Sequence, residues 1–98
     1  MRKIEVTTAF KRDFRRASKG PYRAILDIEL KQVITLLAND RPLPAKFRDH
    51  ALAGKWKDYR DCHVRPDLVL IYRRLDADDE NPCRLVLVRL GSHAELGL

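Results

Sequence analysis

The stretch "WKDYRDCHVRPDLVLIY", Trp56 to Tyr72, decides the fold because it passes from alternating charge into an apolar run. Polar and apolar residues alternate over 56–64, and this pattern predicts a half-buried strand. Residues 68–75, "LVLIYRRL", are apolar on both faces, as is typical of a central strand. A short segment containing Pro66 joins the two strands, so we expect them to pair as neighbours in an antiparallel meander.

Upstream of this stretch, the sequence predicts one strand and two helices. Residues 3–8, "KIEVTT", are short and rich in β-branched side chains, which indicates a first strand. Thr7 or Thr8 can cap a helix whose apolar residues recur at helical spacing. Gly20 and Pro21 separate this helix from a second one, which continues to about Ala38.

The rest of the chain completes a small α+β domain. Residues 42–54, "PLPAKFRDHALAG", are rich in breaking residues and indicate a loop, whereas residues 83–90 are apolar on both faces and indicate a last strand. Residues 91–98 form a short tail. The predicted order is therefore β-α-α-β-β-β, in a single domain over 1–98 with both helices on one face of a mainly antiparallel sheet.

Side-chain alternation assigns residues of the second predicted strand to the two faces of the sheet. Cys62 and Val64 share a face with Trp56. His63 lies on the opposite face. Because two helices cover one face only, we expect the face that carries His63 to be partly open to solvent.

Composition favours a soluble protein with a polyanionic partner. Twenty Lys and Arg against fourteen Asp and Glu give a net charge of +6 and a pI near 9.7. Such an excess favours nucleic acid or an acidic protein as partner.

The N-terminus has no apolar run typical of a signal peptide, and no segment has the length of a membrane span. Cys62 and Cys83 lack the close spacing of a metal or redox pair, so we expect two small buried residues in a reducing cytoplasm.

The predicted topology brings the histidines and one acid to the same end of the sheet. His63 ends the second strand and Asp67 begins the third, so an antiparallel turn places them together. The last strand runs parallel to the second, which brings His93 to the same end. The loop that carries His50 can fold over this end as well. All three histidines of the chain and one acid are therefore expected to converge.

Histidines in such a cluster are suited to cleavage of RNA. Histidine transfers protons near neutral pH, so one group can remove the proton of a ribose 2′-hydroxyl while another protonates the leaving oxygen. This chemistry requires RNA, because DNA lacks the nucleophile. A zinc site of three His and one Asp is the chemical rival, although no H-x-x-x-H or C-x-x-C spacing supports it, and we expect neither metal nor cofactor. The candidate RNA- and ribosome-binding residues are Lys55, Trp56, Lys57, Arg60, Arg65 and Arg89.

The run "PLPAKFRDHALAGKWKDYRDCHVRPDLVLIYR" resembles the RelE/YafQ class of bacterial type II toxin–antitoxin toxins, in particular the YafQ branch. The combination of DH, L-x-G-x-W, R-D-x-H-V-x-P-D and LIY carries the resemblance, and "GSH" near the C-terminus adds to it. The likeness extends over nearly the whole chain and includes the predicted β-α-α-β-β-β order.

The resemblance implies a ribosome-dependent endoribonuclease that cuts mRNA in the A site without a metal and that a cognate antitoxin silences in a hetero-oligomer. The catalytic set it implies is His50, His63, Asp67 and His93. His93 is expected to be the general acid, and either Asp67 or His50 the general base. His63 would orient a partner or stabilise the charged phosphate.

Two features depart from the family pattern, and two other functions compete. The tail ends "HAELGL", without the aromatic that often follows in the family, and the acidic loop "DADDENP" is longer than the usual hairpin. One competitor is a ParE-like toxin that inhibits DNA gyrase without cutting RNA, although such toxins generally lack this histidine set. The other is a basic domain that binds nucleic acid without chemistry.

Overall fold

The computed structural model describes residues 1–98, and its strands form one five-stranded sheet. The sheet order is β1-β5-β4-β3-β2, in which β1 runs parallel to β5 and all other neighbours are antiparallel. The predicted α+β class is confirmed, with one strand more than predicted. The strands are β1 (Lys3–Val6), β2 (His50–Ala51), β3 (Arg60–Arg65), β4 (Leu68–Leu75) and β5 (Arg84–Gly91).

Two helices connect β1 to the rest of the sheet. The first, α1 (Thr8–Ser18), starts at Thr7, whose side-chain oxygen accepts a hydrogen bond from the Phe10 N–H at 2.9 Å. This contact confirms the predicted cap. The second, which we call α2, joins a helical turn Arg23–Ile25, a π-helical turn Leu26–Leu30 and an α-helix Lys31–Ala38 without interruption.

The main core lies between these helices and one face of the sheet. From α2, Leu30, Val33 and Leu37 pack towards the sheet, where Leu70 and Tyr72 of β4 are fully buried. Because these side chains recur every three or four residues on the helix and every two on the strand, the two periodicities present matching apolar faces. The prediction of helices on one face of a central strand is confirmed.

The opposite face of β4 is covered more fully than the sequence suggested. Val69 and Ile71 are completely buried there and pack with Leu96. Leu52, Trp56, Tyr59 and Val88 pack around this second cluster. The face that was expected to be partly open is therefore covered over the centre of β4.

Several predicted boundaries are wrong, for local conformational reasons. β3 begins at Arg60 instead of Trp56, because Gly54 and Asp58 have positive φ angles of 64° and 78° and turn the chain before the strand. Trp56 lies in a 3-10 turn and packs on the face opposite to Cys62, so its predicted face is wrong. The tail forms a helix, α3 (His93–Leu96), rather than an irregular end.

The loop 42–54 is also more ordered than predicted. It contains a 3-10 turn, Ala45–Phe47, and the two-residue strand β2. A strand of two residues has no periodicity that sequence analysis can detect. Both cysteines are free: Cys62 is buried as expected, whereas Cys83 is only partly buried. No helix has the length and apolarity that crossing a membrane requires.

Candidate active site

The structure brings together the four residues that the sequence predicted as catalytic. The rings of His63 and His93 meet edge to face with centroids 5.0 Å apart, and the ring of His50 lies 6.1 Å from that of His63. Asp67 Oδ1 lies 2.9 Å from His93 Nδ1. His63 thus stands between the other two histidines, and Asp67 closes one end of the row.

Irregularities at the end of the β3–β4 hairpin direct these side chains. The register shifts between His63 and Arg65, so Val64 forms a β-bulge. A bulge bends its strand and re-aims the side chains beside it. Pro66 then fixes the backbone at the start of the turn that presents Asp67. The sequence places the residues in order, and the bulge with the turn sets their direction.

Asp67 holds His93 through two hydrogen bonds. Its Oδ1 accepts from the His93 backbone N–H at 3.1 Å and from Nδ1 at 2.9 Å. The hydrogen bond from the His93 ring is the main reason why the pKa of Asp67 lies below its usual range. An ionised carboxylate can only accept hydrogen bonds, so Nδ1 of His93 carries a proton and Nε2 is left for chemistry.

His50 is held by a backbone carbonyl and lies beside a different acid, Asp61. Its Nδ1 lies 2.9 Å from the carbonyl oxygen of Arg48 and 3.0 Å from Asp61 Oδ1. A carbonyl oxygen can only accept, so Nδ1 donates and Nε2 keeps a free lone pair in the neutral ring. Asp61 is paired with His50 across β2 and β3 and is 2 % exposed.

Asp61 is a site residue that sequence analysis missed. Burial raises its pKa, and the nearby histidine charges only partly oppose that effect. Its Oδ1 is buried and receives no well-aligned hydrogen bond, so its contact with His50 is electrostatic. The alternation of β3 did place Asp61 on the face of His63, and that was the signal available.

The surroundings of His63 favour its neutral form. Burial is the main reason why its pKa is lowered, and the adjacent His93 and His50 lower it further, whereas Asp61 opposes the shift. The ring is therefore neutral at pH 7, where histidine's usual pKa of about 6.5 already leaves most rings uncharged. A neutral imidazole has one N–H donor and one acceptor.

An open cleft of about 620 Å³ lies against His63 and His93. Arg65, one of the predicted RNA-binding residues, lines this cleft, and its guanidinium lies 2.6 Å from the Glu29 carboxylate. Lys46 and Arg48 also line it, and neither makes a salt bridge within the chain. The charges available to a phosphate thus come chiefly from Lys46 and Arg48, neither of which is among the residues predicted from sequence to bind RNA.

The other predicted RNA-binding residues lie outside the cleft. Arg60 contacts Asp49 at 3.2 Å, and Arg89 contacts the buried Asp13 at 2.6 Å. Both pairs join separate elements of the fold, so these two arginines have a structural partner. Lys57 is exposed on the turn before β3, and Lys55 covers the ring of Trp56 at 5.8 Å.

The donor set does not form an evident metal site. No three His, Cys, Asp or Glu side chains are grouped so that they could hold one metal ion. In the histidine row, Nδ1 of His50 and Nδ1 of His93 are both taken up by oxygen acceptors. The arrangement instead supplies proton donors and acceptors in a line.

Comparisons with known proteins agree with this architecture. The family model of the bacterial toxin of type II toxin–antitoxin systems, YafQ, matches residues 2–97. An Escherichia coli protein (strain B / BL21-DE3) named mRNA interferase toxin YafQ is 42% identical over 96 residues, which cover 97% of this chain and 95% of the relative.

Solved structures show the same fold. The toxin in a crystal structure of the E. coli DinJ-YafQ complex is 39% identical, with a TM-score of 0.77 over 98% of both chains. A metal-bound toxin from Helicobacter pylori is 38% identical, with a TM-score of 0.81 over 98% of this chain and 99% of that one. The chain therefore belongs to the YafQ family of bacterial toxins of type II toxin–antitoxin systems.

Proposed function

We propose that this protein is a ribosome-dependent endoribonuclease that cleaves mRNA in the ribosomal A site by acid–base chemistry through the 2′-hydroxyl. One observation carries the proposal. His50 and His93 stand on either side of His63, each with Nδ1 against an oxygen acceptor and with Nε2 free. The relative named mRNA interferase supports the same activity.

The general base in this proposal is His50. His50 and Asp67 are the two candidates that the sequence predicts for this role. Asp67 already accepts two hydrogen bonds from His93 and has a lowered pKa, which makes it a weak base. His50 donates a hydrogen bond from Nδ1 to the carbonyl oxygen of Arg48. Its Nε2 can therefore remove the proton of the 2′-hydroxyl, whose oxygen then attacks the adjacent phosphorus.

The general acid is His93. The carboxylate of Asp67 stabilises the positive charge of a protonated His93 ring and fixes its direction. As the bond between phosphorus and the 5′-oxygen breaks, Nε2 gives its proton to that oxygen. The products are a 2′,3′-cyclic phosphate and a free 5′-hydroxyl, and one proton has passed from the 2′-oxygen to His50 and one from His93 to the leaving group.

His63 and the cleft cations stabilise the phosphate during this transfer. A neutral His63 can donate one hydrogen bond to a non-bridging oxygen without competing for the transferred protons. Lys46 and Arg48 supply positive charge beside it. Preorganised donors of this kind act where charge develops, which is the largest single contribution in many enzymes.

The shape and charge of the cleft support dependence on the ribosome. The cleft is open, and only two of its cations are free of a carboxylate partner. Few phosphate contacts give weak binding of free RNA, since affinity grows with the number of neutralised phosphates. The ribosome would then supply the alignment of mRNA that the toxin lacks.

Regulation in this proposal comes from a cognate antitoxin that binds the toxin in a hetero-oligomer. Membership of the type II toxin–antitoxin family and the solved DinJ-YafQ complex support such a partner. The net charge of +6 favours a partner with acidic segments.

Single-turnover cleavage of a ribosome-bound mRNA tests the proposal. We expect wild-type protein to give codon-phased cuts with 2′,3′-cyclic phosphate ends, and His93→Gln to slow the reaction by about a hundredfold to ten-thousandfold. The matched control is Lys3→Gln, an exposed residue at the opposite end of the sheet, which should cleave like the wild type.

Growth arrest provides the contrast with gyrase inhibition. In bacteria that express matched amounts of each protein, the wild type should arrest growth and cut a translated reporter, and His93→Gln should do neither. Arrest without mRNA cuts that persists in His93→Gln would refute the nuclease and favour a ParE-like gyrase inhibitor.

A further inference from the structure

The proposed acid, His93, lies on an element too short to be stable alone. Helix α3 has four residues, and His93 is the first of them. An isolated helix of this length is not stable in water, because the free energy needed to nucleate a helix exceeds the free energy gained from the hydrogen bonds of a single turn. The orientation of the His93 ring therefore depends on contacts that fix α3 to the rest of the fold.

A capping box closes the start of α3. The Ser92 side chain accepts a hydrogen bond from the Glu95 N–H at 3.1 Å, and Glu95 Oε1 accepts from the Ser92 N–H at 2.8 Å. The second bond needs the space left by Gly91, where a Cβ atom would lie 3.0 Å from Glu95 Oε1. The capping box and the glycine before it thus fold the Glu95 side chain back over the first turn.

The other oxygen of Glu95 reaches across to helix α1. Arg16 Nη2 lies 3.1 Å from Glu95 Oε2 and 3.2 Å from Asp13 Oδ1. Asp13 is buried and is itself held by the Arg89 side chain at 2.6 Å and the Leu90 N–H at 3.1 Å. Arg16 therefore links a short helix to a buried group in the core.

We propose that Arg16 and Glu95 are positioning residues that hold His93 against Asp67 and His63 by fixing the rotation of α3 on α1. This inference rests on the proposed function, in which His93 is the general acid. Leu96, buried on the second apolar cluster, sets how closely α3 lies to the sheet. Glu95, on another side of the helix, sets its rotation about that contact.

The Arg16–Glu95 pair is exposed, so its effect on the position of His93 can be distinguished from an effect on the stability of the fold. The Arg16 and Glu95 side chains are 52% and 44% exposed. Exposed ion pairs contribute little to the free energy of unfolding. Removing either partner should therefore leave the fold intact and change mainly the direction of the His93 ring.

The test measures single-turnover cleavage of ribosome-bound mRNA by Arg16→Met, Glu95→Gln and the double variant. Each single variant should lose about tenfold to a hundredfold in maximal rate, the scale of a small misplacement of a reacting group, with unchanged half-saturation. The rate of the double variant should fall no further than that of the slower single variant, because each single substitution already removes the same link. Arg16→Lys, which keeps a cation near Glu95, should recover most of the rate.

Charge provides the control. Arg16→Met lowers the net charge and Glu95→Gln raises it, so weaker electrostatic attraction to RNA cannot explain a loss in both. The matched control is Arg12→Met, one helical turn before Arg16, exposed and without a carboxylate partner. It should keep the wild-type rate within about twofold, as a surface substitution away from specific contacts does.

A second readout does not depend on catalysis. In an NMR titration of the carboxyl groups, Glu95→Gln should raise the pKa of Asp67 towards its usual value, because the His93 hydrogen bonds that lower it are loosened. Arg12→Met should leave that pKa in place. If wild-type protein cuts no mRNA but Asp67 responds in this way, the proposed function fails and the positioning of His93 stands. If the wild type cuts mRNA and the variants match it, or if the losses are additive, the inference is wrong.

Discussion

Asp61 and Asp67 have pKa values displaced in opposite directions, so their neutral replacements should change stability in opposite directions. Burial raises the pKa of Asp61, whose side chain is 3% exposed. Hydrogen bonds from His93 lower the pKa of Asp67. At pH 7 the folded structure therefore destabilises the ionised form of Asp61 and stabilises the ionised form of Asp67.

Asp61→Asn is expected to make the protein more stable at pH 7. The substitution keeps a buried polar side chain but removes its charge, and an unpaired buried charge costs more than the roughly 1–3 kcal/mol of an unpaired neutral polar atom. Asp61 Oδ1 is buried without a hydrogen bond, and the nearby His50 Nδ1, at 3.0 Å, offsets only part of the cost. A net gain of about 1 kcal/mol raises the Tm of a domain of this size by about 4–8 °C.

The pH dependence gives the sign of each effect. A raised folded-state pKa means that the stability contributed by Asp61 is fully present below the unfolded pKa of about 3.9 and is lost as pH rises through the folded value. Asp61→Asn has no such loss, so its curve should meet the wild type below that pH and lie above it at neutral pH. For Asp67 the folded pKa is lowered, so its contribution is present above about pH 3.9 and is lost as pH falls.

Urea unfolding at a series of pH values between acid and neutral checks both curves. Asp67→Asn, the matched control with the same chemical change in the same site, should be less stable than the wild type at pH 7, and the difference should shrink in acid. The reasoning is refuted if Asp61→Asn is less stable than the wild type at pH 7, or if its gain grows towards acid. Activity should fall in Asp61→Asn despite the added stability, because His50 loses its charged neighbour.

Two further substitutions test the cleft and the support of β2. Arg48→Met should weaken binding of single-stranded RNA about threefold to tenfold and reduce the salt slope of log K by about 0.7, as expected for one lost phosphate contact, whereas Lys3→Met should do neither in a filter-binding assay. Tyr72→Phe removes the buried hydroxyl that donates to Asp49 Oδ1 and should cost about 1–3 kcal/mol in urea unfolding. An unchanged midpoint would show that this hydroxyl contributes nothing to stability.

The sequence predicted the parts of the fold that periodicity and strand connection determine. The bounds of β4, Leu68–Leu75, are those expected from its apolar run, and Thr7 caps α1 as expected. The meeting of His63 with His93 also follows from sequence, because two strands that flank a common antiparallel neighbour must run parallel and end on the same side. These conclusions need no knowledge of side-chain packing.

Contacts between distant parts of the chain could not be predicted in this way. Asp61 has the alternation of a solvent-facing residue, and only the pairing of β2 with β3 and the folding of 52–59 over the sheet bury it. Arg89 has the charge of an RNA ligand, but Asp13, far away in sequence, takes it up. Charge at a position predicts affinity for an anion, and the fold decides whether that anion belongs to the protein or to a ligand.

Two of the three histidines lie on very short elements of the molecule. His50 lies on a strand of two residues and His93 on a helix of four, whereas the long strands β4 and β5 carry none of the histidines. Short elements have too few residues for propensity or periodicity to stabilise them, so each depends on a polar link to a larger element. Glu95 reaches Arg16 on α1, and Asp49, next to His50, accepts from Tyr72 of β4. In the proposed function, the alignment of His50 and His93 therefore depends on polar contacts with the large elements, and periodicity in the sequence does not reveal such contacts.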